Sequence, residues 1–310
     1  MGKFIKRCLI IGLICVVIGL AASGTGIFKG GLGQLKEQIL SGKWTIDFDE
    51  GIEIEPFFEL EEQHYFKENA TTHVDEEKVE ESFSASEVQK INIKTSGITI
   101  EVKEYDGQDV FVESAAVHKY QGYLDKGELY IIGRGQNSND LGKGKVTVSI
   151  PGSLSNNGTL GLEIESAASV VSIDKLIVRD VELKVSAGTI SWQELTAGEL
   201  SIEMSAGAVK GTNTTITEDT DIQIRAGAVT LNGQFGLETE IEVAAGKVEM
   251  GLADAIGAYN YDVSCAGGSV SVGDEAIEGI AKTVKMEHGA LKHMDIECSM
   301  GAVNINVIEE

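Results

Sequence analysis

Proline and cysteine are scarce in this chain of 310 residues, which has two prolines and four cysteines. The cysteines form no CxxC pair, which excludes a zinc ribbon and a disulfide-stapled miniprotein. Two prolines exclude a proline-rich stalk, and glycine without a three-residue period excludes collagen. Basic residues number 25 against 49 acidic ones, so the formal net charge is −24 and nucleic acid is not an expected partner. An apolar content of 42% is enough for a packed core and excludes wholesale disorder.

Charge of either sign is absent from the run Cys8–Phe28, which Lys3, Lys6 and Arg7 precede. As a helix this run would be about 31 Å long, and the hydrocarbon layer of a membrane is about 30 Å thick. We therefore expect a transmembrane anchor at residues 8–28, a short cytoplasmic tail at residues 1–7, and the rest of the chain outside the membrane. The alternative is a cleaved signal peptide, because the end of the run is rich in small residues.

Acidic side chains dominate the segment that follows the anchor. We expect residues 29–83 to form an acidic juxtamembrane linker, in which charge repulsion favours extended chain over a dedicated partner motif. Short apolar pieces leave room for part of the segment to dock as a strand. His64 and His73 are nine residues apart without a helical or hairpin frame, so their spacing does not make a metal site.

From about Ser84 the apolar residues alternate with polar ones. Ile98-Thr99-Ile100-Glu101-Val102 and Val146-Thr147-Val148-Ser149-Ile150 are rich in β-branched residues, and turn signals such as Asp106-Gly107 separate such segments. No amphipathic helix of useful length is indicated. The pattern predicts an all-β domain over residues 84–310.

A repeat of about 20 residues then runs through the chain. Its frame is apolar, any, apolar, any, small, glycine, any, apolar, as in Ile222, Ile224, Ala226 and Val229. Alternation predicts that Ile222, Ile224 and Ala226 point inward from one strand. A small residue followed by glycine predicts a bend where neighbouring coils approach closely. We expect such corners at Gly97, Ala168, Gly188, Gly207, Gly227, Gly246, Gly267, Gly289 and Gly301.

A period of this length holds two short strands and two turns, which is one coil of a β-solenoid. Ordering the backbone of one coil costs on the order of 20–40 kcal/mol. Inward side chains recover roughly 1.5–3 kcal/mol each, so a coil is stable only when its neighbours stack on it. The repeat therefore predicts a single-domain β-solenoid, parallel β-helix-like, in which each coil covers the open edge of the next.

The anchor, the alternating strands and the recurring corners together resemble the bacterial putative adhesin family of β-strand-repeat proteins. The resemblance covers about residues 84–310. The family has no assigned biochemical activity. It implies a solenoid of stacked strands outside a bacterial membrane. Many relatives have Ser-Gly corners where this chain has Ala-Gly.

Two pairs of residues could mark a site. Cys265 and Cys298 fall on apolar positions of the frame, which favours small core side chains over a disulfide. His288 takes the small position before Gly289, and His293 follows shortly after. A partly exposed end coil accounts for both histidines better than a shared site does.

No catalytic, cofactor or metal residue is predicted. Glu218, Asp219 and Asp221 offer oxygens for loosely bound calcium, but they lack the glycine–aspartate nonapeptide of calcium-binding β-rolls, which favours a solvated turn. Serine nucleophile elbows, P-loops and dinucleotide fingerprints are absent from the sequence. Trp192 continues the alternation from Ile190, which predicts a core ring and not a sugar platform.

These features predict a membrane-anchored extracytoplasmic surface protein that is not an enzyme and that mediates adhesion or contact with a protein or envelope partner. Because acidic residues prevail outside the membrane, the partner should be basic, or the contact bridged by loosely held divalent cations. One alternative is an envelope-stress or signalling accessory protein. The other is a polysaccharide-acting β-helix enzyme, which would need paired carboxylates beside exposed aromatic rings.

Overall fold

Strands make up almost all regular structure in this computed structural model, which describes residues 66–135, 143–278 and 281–308. In those ranges the helical elements are α1 (Gly152–Ser155) and two short 3-10 turns. The all-β class expected from the sequence is confirmed. The strands are β1 (His73–Val74), β2 (Lys78–Phe83), β3 (Lys90–Ser96), β4 (Thr99–Tyr105), β5 (Val110–Ala115), β6 (Lys119–Asp125), β7 (Glu128–Arg134), β8 (Lys145–Pro151), β9 (Gly161–Ile177), β10 (Asp180–Ala197), β11 (Glu199–Met204), β12 (Ala208–Ile216), β13 (Asp219–Ile224), β14 (Ala228–Gln234), β15 (Glu238–Val243), β16 (Lys247–Leu252), β17 (Tyr259–Cys265), β18 (Ser269–Val272), β19 (Glu275–Glu278), β20 (Lys282–Met286), β21 (Lys292–Cys298) and β22 (Ala302–Val307).

Successive repeats form successive coils, each with one strand on a first face and one on a second face. On the first face β10 pairs with β11, β11 with β13 and β13 with β15, all parallel. On the second face β10 pairs with β12, β12 with β14 and β14 with β16, also parallel. Paired residues are 19 or 20 positions apart in sequence, as in Val185 with Met204 and Ala208 with Ala228. The period read from the sequence is therefore the length of one coil.

Like side chains stack along the inside of both faces and form the core. Parallel in-register pairing places each inward residue over its counterpart in the next coil, so β-branched and leucine side chains pack in columns. Every member is at most 1% exposed, and full burial of such a side chain contributes roughly 1.5–3 kcal/mol. The columns are Leu183, Ile202, Ile222, Ile241, Ile296 and Val263 on the first face and Val209, Val229, Val248, Val303 and Val270 on the second.

The order of the coils departs from chain order at both ends, whereas the sequence repeat suggested a simple succession. The coil β3–β4 lies between β9 and the later coil β7–β8. The last coil, β21–β22, lies between β15–β16 and the earlier coil β17–β18. The copies share one corner chemistry, so the repeat pattern by itself does not indicate which coils are neighbours.

Antiparallel strands close both ends of the stack. At one end β6 pairs with β7 and β5 with β8, followed by β1 and β2. At the other end β20 pairs with β17 and β19 with β18. Covering the outermost parallel strands in this way leaves only short edge strands, which limits aggregation through open edges.

The sheet begins before Ser84, because β1 and β2 lie within the segment 29–83 expected as linker. Buried Gln121 fixes the chain just before them: its Nε2 donates to the carbonyl oxygens of Lys67 (2.9 Å) and Ala70 (3.1 Å) and to Thr72 Oγ1 (2.7 Å). The expected anchor at residues 8–28 lies outside the described residues. Among the described residues, no helix combines the length and apolar character needed to cross a membrane.

Candidate functional site

Glycines of successive coils form a column along one corner of the solenoid. A Cβ added to Gly207 would lie 2.4 Å from the carbonyl oxygen of Gly188, and one added to Gly227 would lie 2.6 Å from that of Gly207. The same relation continues from Gly227 to Gly246 (2.8 Å) and from Gly246 to Gly301 (2.5 Å). Gly188, Gly207 and Gly227 also have φ between 111° and 116°, which side chains disfavour. These corners hold the coils together and present no reactive group.

The column differs from the sequence expectation at its C-terminal end. Gly268 occupies it in place of Gly267, because a Cβ on Gly268 would lie 2.4 Å from the carbonyl oxygen of Gly301. Gly289 lies outside the column, in the segment before β21, where nothing is within 4 Å of an added Cβ. The motif around Gly289 imitates a corner, but the chain makes no coil there.

The N-terminal corners use other residues. Gly97 donates its N–H to the carbonyl oxygen of Ala167 (3.2 Å), and Ala168 has a φ of 56° at a bulge in β9. The inward position expected for Ala226 is wrong. Ile222 and Ile224 are buried, but Ala226 is only half-buried because the bend already begins at Arg225.

Within the part of the chain that the structure describes, one surface gathers carboxylates without lysine or arginine. We call it the acidic face, and it is formed by the outward side chains of β11, β13, β15, β21 and β17. No outward position of these five strands is Lys or Arg. Parallel register aligns the carboxylates in columns, with Asp221 beside Glu240, Glu240 beside Asp295, and Asp295 beside Asp262. The carboxylates are Glu199, Glu203, Asp219, Asp221, Glu238, Glu240, Glu242, Asp295, Glu297 and Asp262.

Further toward the N-terminus the same columns are neutralised by lysines. Glu163 accepts from Lys90 (2.5 Å) and from Lys184 (3.2 Å), while Lys94 lies 2.8 Å from Glu165. Burial alone would raise the pKa of Glu163, but the ammonium groups of Lys90 and Lys184 lower it to about 2. This part of the first face is therefore a network of ion pairs and not a surface of net charge.

On the acidic face the carboxylates repel each other instead. Partial burial, and then the charges of Asp221, Glu242, Asp295 and Glu297, raise the pKa of Glu240. Burial also raises the pKa of Asp221. Neighbouring strands are about 4.8 Å apart, and two like charges at that distance repel by roughly 1 kcal/mol even in water. At the distal edge Lys285 lies 2.7 Å from Asp262.

The second face carries small and polar side chains over the same coils. Its outward positions include Ala208, Ala228 and Ala302, and the exposed Lys247 pairs with Glu249 at 2.5 Å. The acidic character is therefore confined to one side of the solenoid. A ligand that seeks negative charge would distinguish the two sides.

The histidine and calcium candidates do not assemble into a site. His288 Nδ1 is 2.6 Å from the carbonyl oxygen of Tyr259, whereas His293 Nε2 is 3.8 Å from Asp262. His73 bonds Glu76 at 2.8 Å, and His64 lies outside the described residues. Among the described side chains, no three of His, Cys, Asp and Glu are grouped as a metal would require.

The calcium candidates and the tryptophan lie in strands or beside them. Asp219 and Asp221 both point outward from β13, and Glu218 lies in the turn before it. Trp192 is in the core as expected, 2% exposed, and its Nε1 donates to Thr214 Oγ1 (2.9 Å). Cys265 and Cys298 are buried and carry free thiols.

Sequence reasoning missed the acidic face because acidic residues are abundant throughout the chain. The available signal was their position: Asp219-Thr220-Asp221 and Glu238-Thr239-Glu240 place carboxylates at the same outward positions of consecutive copies. The absence of lysine at these positions becomes meaningful only once the strands are aligned.

Residues 88–239 match the family model described as Toastrack DUF4097, which confirms the resemblance drawn from the sequence. One solved structure, a putative cell adhesion protein from Clostridium sporogenes ATCC 15579, is 11% identical, with a TM-score of 0.31 over 74% of this chain and 99% of its own. Another, a putative adhesin from Bacteroides fragilis NCTC 9343, is 13% identical, with a TM-score of 0.38 over 74% of this chain and 96% of its own. No curated protein matches the chain.

Proposed function

We propose that this chain, which carries a Toastrack DUF4097 domain over residues 88–239, is a membrane-anchored extracytoplasmic protein that binds a basic protein partner through its acidic face and performs no catalysis. The observation that carries the proposal is the alignment of carboxylates over five neighbouring strands without an outward lysine or arginine. The apolar run Cys8–Phe28 supports the anchor.

A basic surface is the ligand that this arrangement favours. Partial burial is the first cause of the raised pKa of Glu240, and repulsion from the neighbouring carboxylates adds to it, so the charged form of this side chain is disfavoured on the acidic face. Lysine and arginine side chains of a partner would relieve that repulsion, and the field of the face would speed their encounter at low salt. Anionic wall polymers and lipid headgroups would be repelled at distances up to about 8 Å at physiological ionic strength.

The position of the acidic face along the solenoid also suits contact with a partner. On the first face β1 is the N-terminal edge strand, followed in space by β6, β7, β3, β9, β10 and β11. At about 4.8 Å per strand, the acidic face begins about 29 Å from β1. An anchor preceding β1 would leave this surface at the far half of the solenoid.

The partner proposal is tested by crosslinking in intact cells followed by mass spectrometry of captured proteins. The test variant replaces three carboxylates of the acidic face, Glu240→Gln, Asp295→Asn and Glu297→Gln. We expect the wild type to capture a protein of high isoelectric point and the variant to lose most of that capture. An acidic captured partner, or undiminished capture by the variant, would contradict the proposal.

A matched control removes the same number of charges elsewhere, with Glu87→Gln, Asp174→Asn and Glu249→Gln. All three lie outside the acidic face, so capture should remain within about twofold of the wild type. The identity of the partner then separates two roles. A partner confined to the same membrane indicates signalling, and one on a host or neighbouring cell indicates adhesion.

The location is tested separately by adding protease to intact cells. An anchored extracytoplasmic domain is accessible from outside and remains with the membrane fraction after washing in high salt. Protection of the domain until the cells are lysed would contradict the location, and recovery in the medium would contradict the anchor.

A further inference from the structure

Two thiols lie side by side on neighbouring strands, at the junction where the last coil inserts into the stack. Cys265 ends β17 and Cys298 ends β21, and these residues are in-register partners of two parallel strands. Both side chains point into the core, with 1% and 2% of their surfaces exposed. Burial comes first among the influences that raise the pKa of the Cys298 thiol, and Cys265 also contributes to the rise.

The backbone geometry suits a covalent bond between them. Neighbouring strands are about 4.8 Å apart, and disulfide-linked Cα atoms are usually 4.4–6.8 Å apart. Side chains of in-register partners on the same face project in the same direction, so the Cβ atoms are about 4.8 Å apart and a small local approach to the 3.5–4.5 Å typical of disulfides closes the bond. We propose that Cys265 and Cys298 are a modification site that forms an intramolecular disulfide, linking the last coil to the coil β17–β18.

The oxidant is a disulfide of low molecular weight or of a thiol oxidoreductase. The Cys298 thiolate attacks one sulfur of that disulfide and expels its partner as a thiolate. The Cys265 thiolate then attacks the Cys298 sulfur and expels the second thiolate. The two cysteines lose two protons and two electrons in total, and the oxidant becomes two thiols. Because both groups are buried in the folded protein, the exchange takes place while β21 docks.

A disulfide at this position would stabilise the junction between the last coil and the coil β17–β18. Between Cys265 and Cys298 the chain completes the coil with β18, caps it with the antiparallel strands β19 and β20, and returns as β21 on the inner side of β17. The outer coil β17–β18 is held to the rest of the solenoid through β21–β22. A covalent link across this junction would keep the inserted coil in place. The link does not depend on the proposed basic partner.

The test uses the purified full chain in mild detergent, with Cys8→Ser and Cys15→Ser to remove the other two thiols. The chain is refolded with glutathione disulfide and glutathione, treated with iodoacetamide under denaturing conditions, and digested with trypsin without reduction. We expect residues 248–282 and 293–310 to appear as one linked species. Recovery of both peptides with alkylated cysteines would overturn the proposal.

Thermal unfolding provides the second measurement. Closing a loop of this length should raise the unfolding midpoint of the oxidised chain by about 5–15 °C over the reduced chain. The control Cys265→Ala, Cys298→Ala should have one midpoint in both redox buffers. A midpoint lowered by oxidation would contradict a stabilising link even if the linked peptides were found.

Discussion

Replacing Gly207 by alanine tests whether the corner column holds the coils at their spacing. The added Cβ would lie 2.4 Å from the carbonyl oxygen of Gly188, a backbone atom that cannot rotate away. The residue also has a φ of 116°, where an L-residue is strained. The strained backbone costs about 1–3 kcal/mol and the overpacking about 1–3 kcal/mol more. We expect Gly207→Ala to lower the free energy of unfolding by about 2–6 kcal/mol.

Two other glycines separate these contributions. Gly158 has a φ of 65° with nothing within 4 Å of an added Cβ, so Gly158→Ala measures the strain of positive φ alone. Gly257 also has open space and no positive φ, so Gly257→Ala should change stability by less than about 0.5 kcal/mol.

The assay is guanidinium unfolding of the three variants and the wild type, monitored by circular dichroism. The loss of unfolding free energy should be largest for Gly207→Ala, smaller for Gly158→Ala and smallest for Gly257→Ala. If Gly207→Ala costs no more than Gly158→Ala, close stacking at the corner is not a stabilising contact and the reasoning fails.

Three further predictions concern charge and coil order. Glu240→Gln should stabilise the protein at pH 7 and low salt by a few tenths of a kcal/mol, because partial burial and the neighbouring carboxylates both penalise the charged form. In thermal unfolding the gain should shrink in high salt, which screens the repulsion, and should be lost as the pH falls below about 4.5; a gain unchanged at pH 4 would refute it. The lysine partners of Glu163 lower its pKa, so the wild type gains stability from this carboxylate above pH 4.5 and loses it as the pH falls toward 2. Glu163→Gln should remove about 1–2 kcal/mol of that stability above pH 4.5. A variant whose unfolding depends on pH as the wild type's does would contradict this. Deleting residues 287–310 removes the coil β21–β22 and should open the stack between β15–β16 and β17–β18. Limited proteolysis should then rapidly cleave the segment that follows residue 252. Unchanged protease resistance would contradict the insertion of β21–β22 between those coils.

The solenoid coil could be predicted because its physics is local and repeated. Alternation identified the inward positions of Ile222 and Val229, and the small-glycine pairs identified most corners. Trp192 was also placed correctly in the core. Each of these assignments depends only on residues a few positions apart.

The order of the coils could not be predicted, since it depends on contacts between copies that look alike. Nothing near Ile296 distinguishes Ile241 from Val263 as its neighbour, yet it packs between both. The corner-like motif at Gly289 misled for the same reason. Local pattern establishes that a segment can form a coil and leaves open whether it does.

The acidic face also could not be predicted from the sequence, because it depends on which carboxylates lie on the same side of the solenoid and which have lysines beside them. Glu163 and Glu240 occupy comparable outward positions, and burial favours a raised pKa at both. The lysines beside Glu163 reverse this and lower its pKa, whereas the carboxylates beside Glu240 add to the rise. Only the aligned strands separate an ion-pair network from a surface of net charge.

Site-specific photocrosslinking in intact cells tests most directly whether the acidic face is the binding surface. A photoreactive residue at Gln223 lies on the acidic face, and one at Thr230 lies on the opposite side of the solenoid. We predict that Gln223 captures a basic protein and Thr230 does not. Capture of the partner from Thr230 with none from Gln223 would contradict the account.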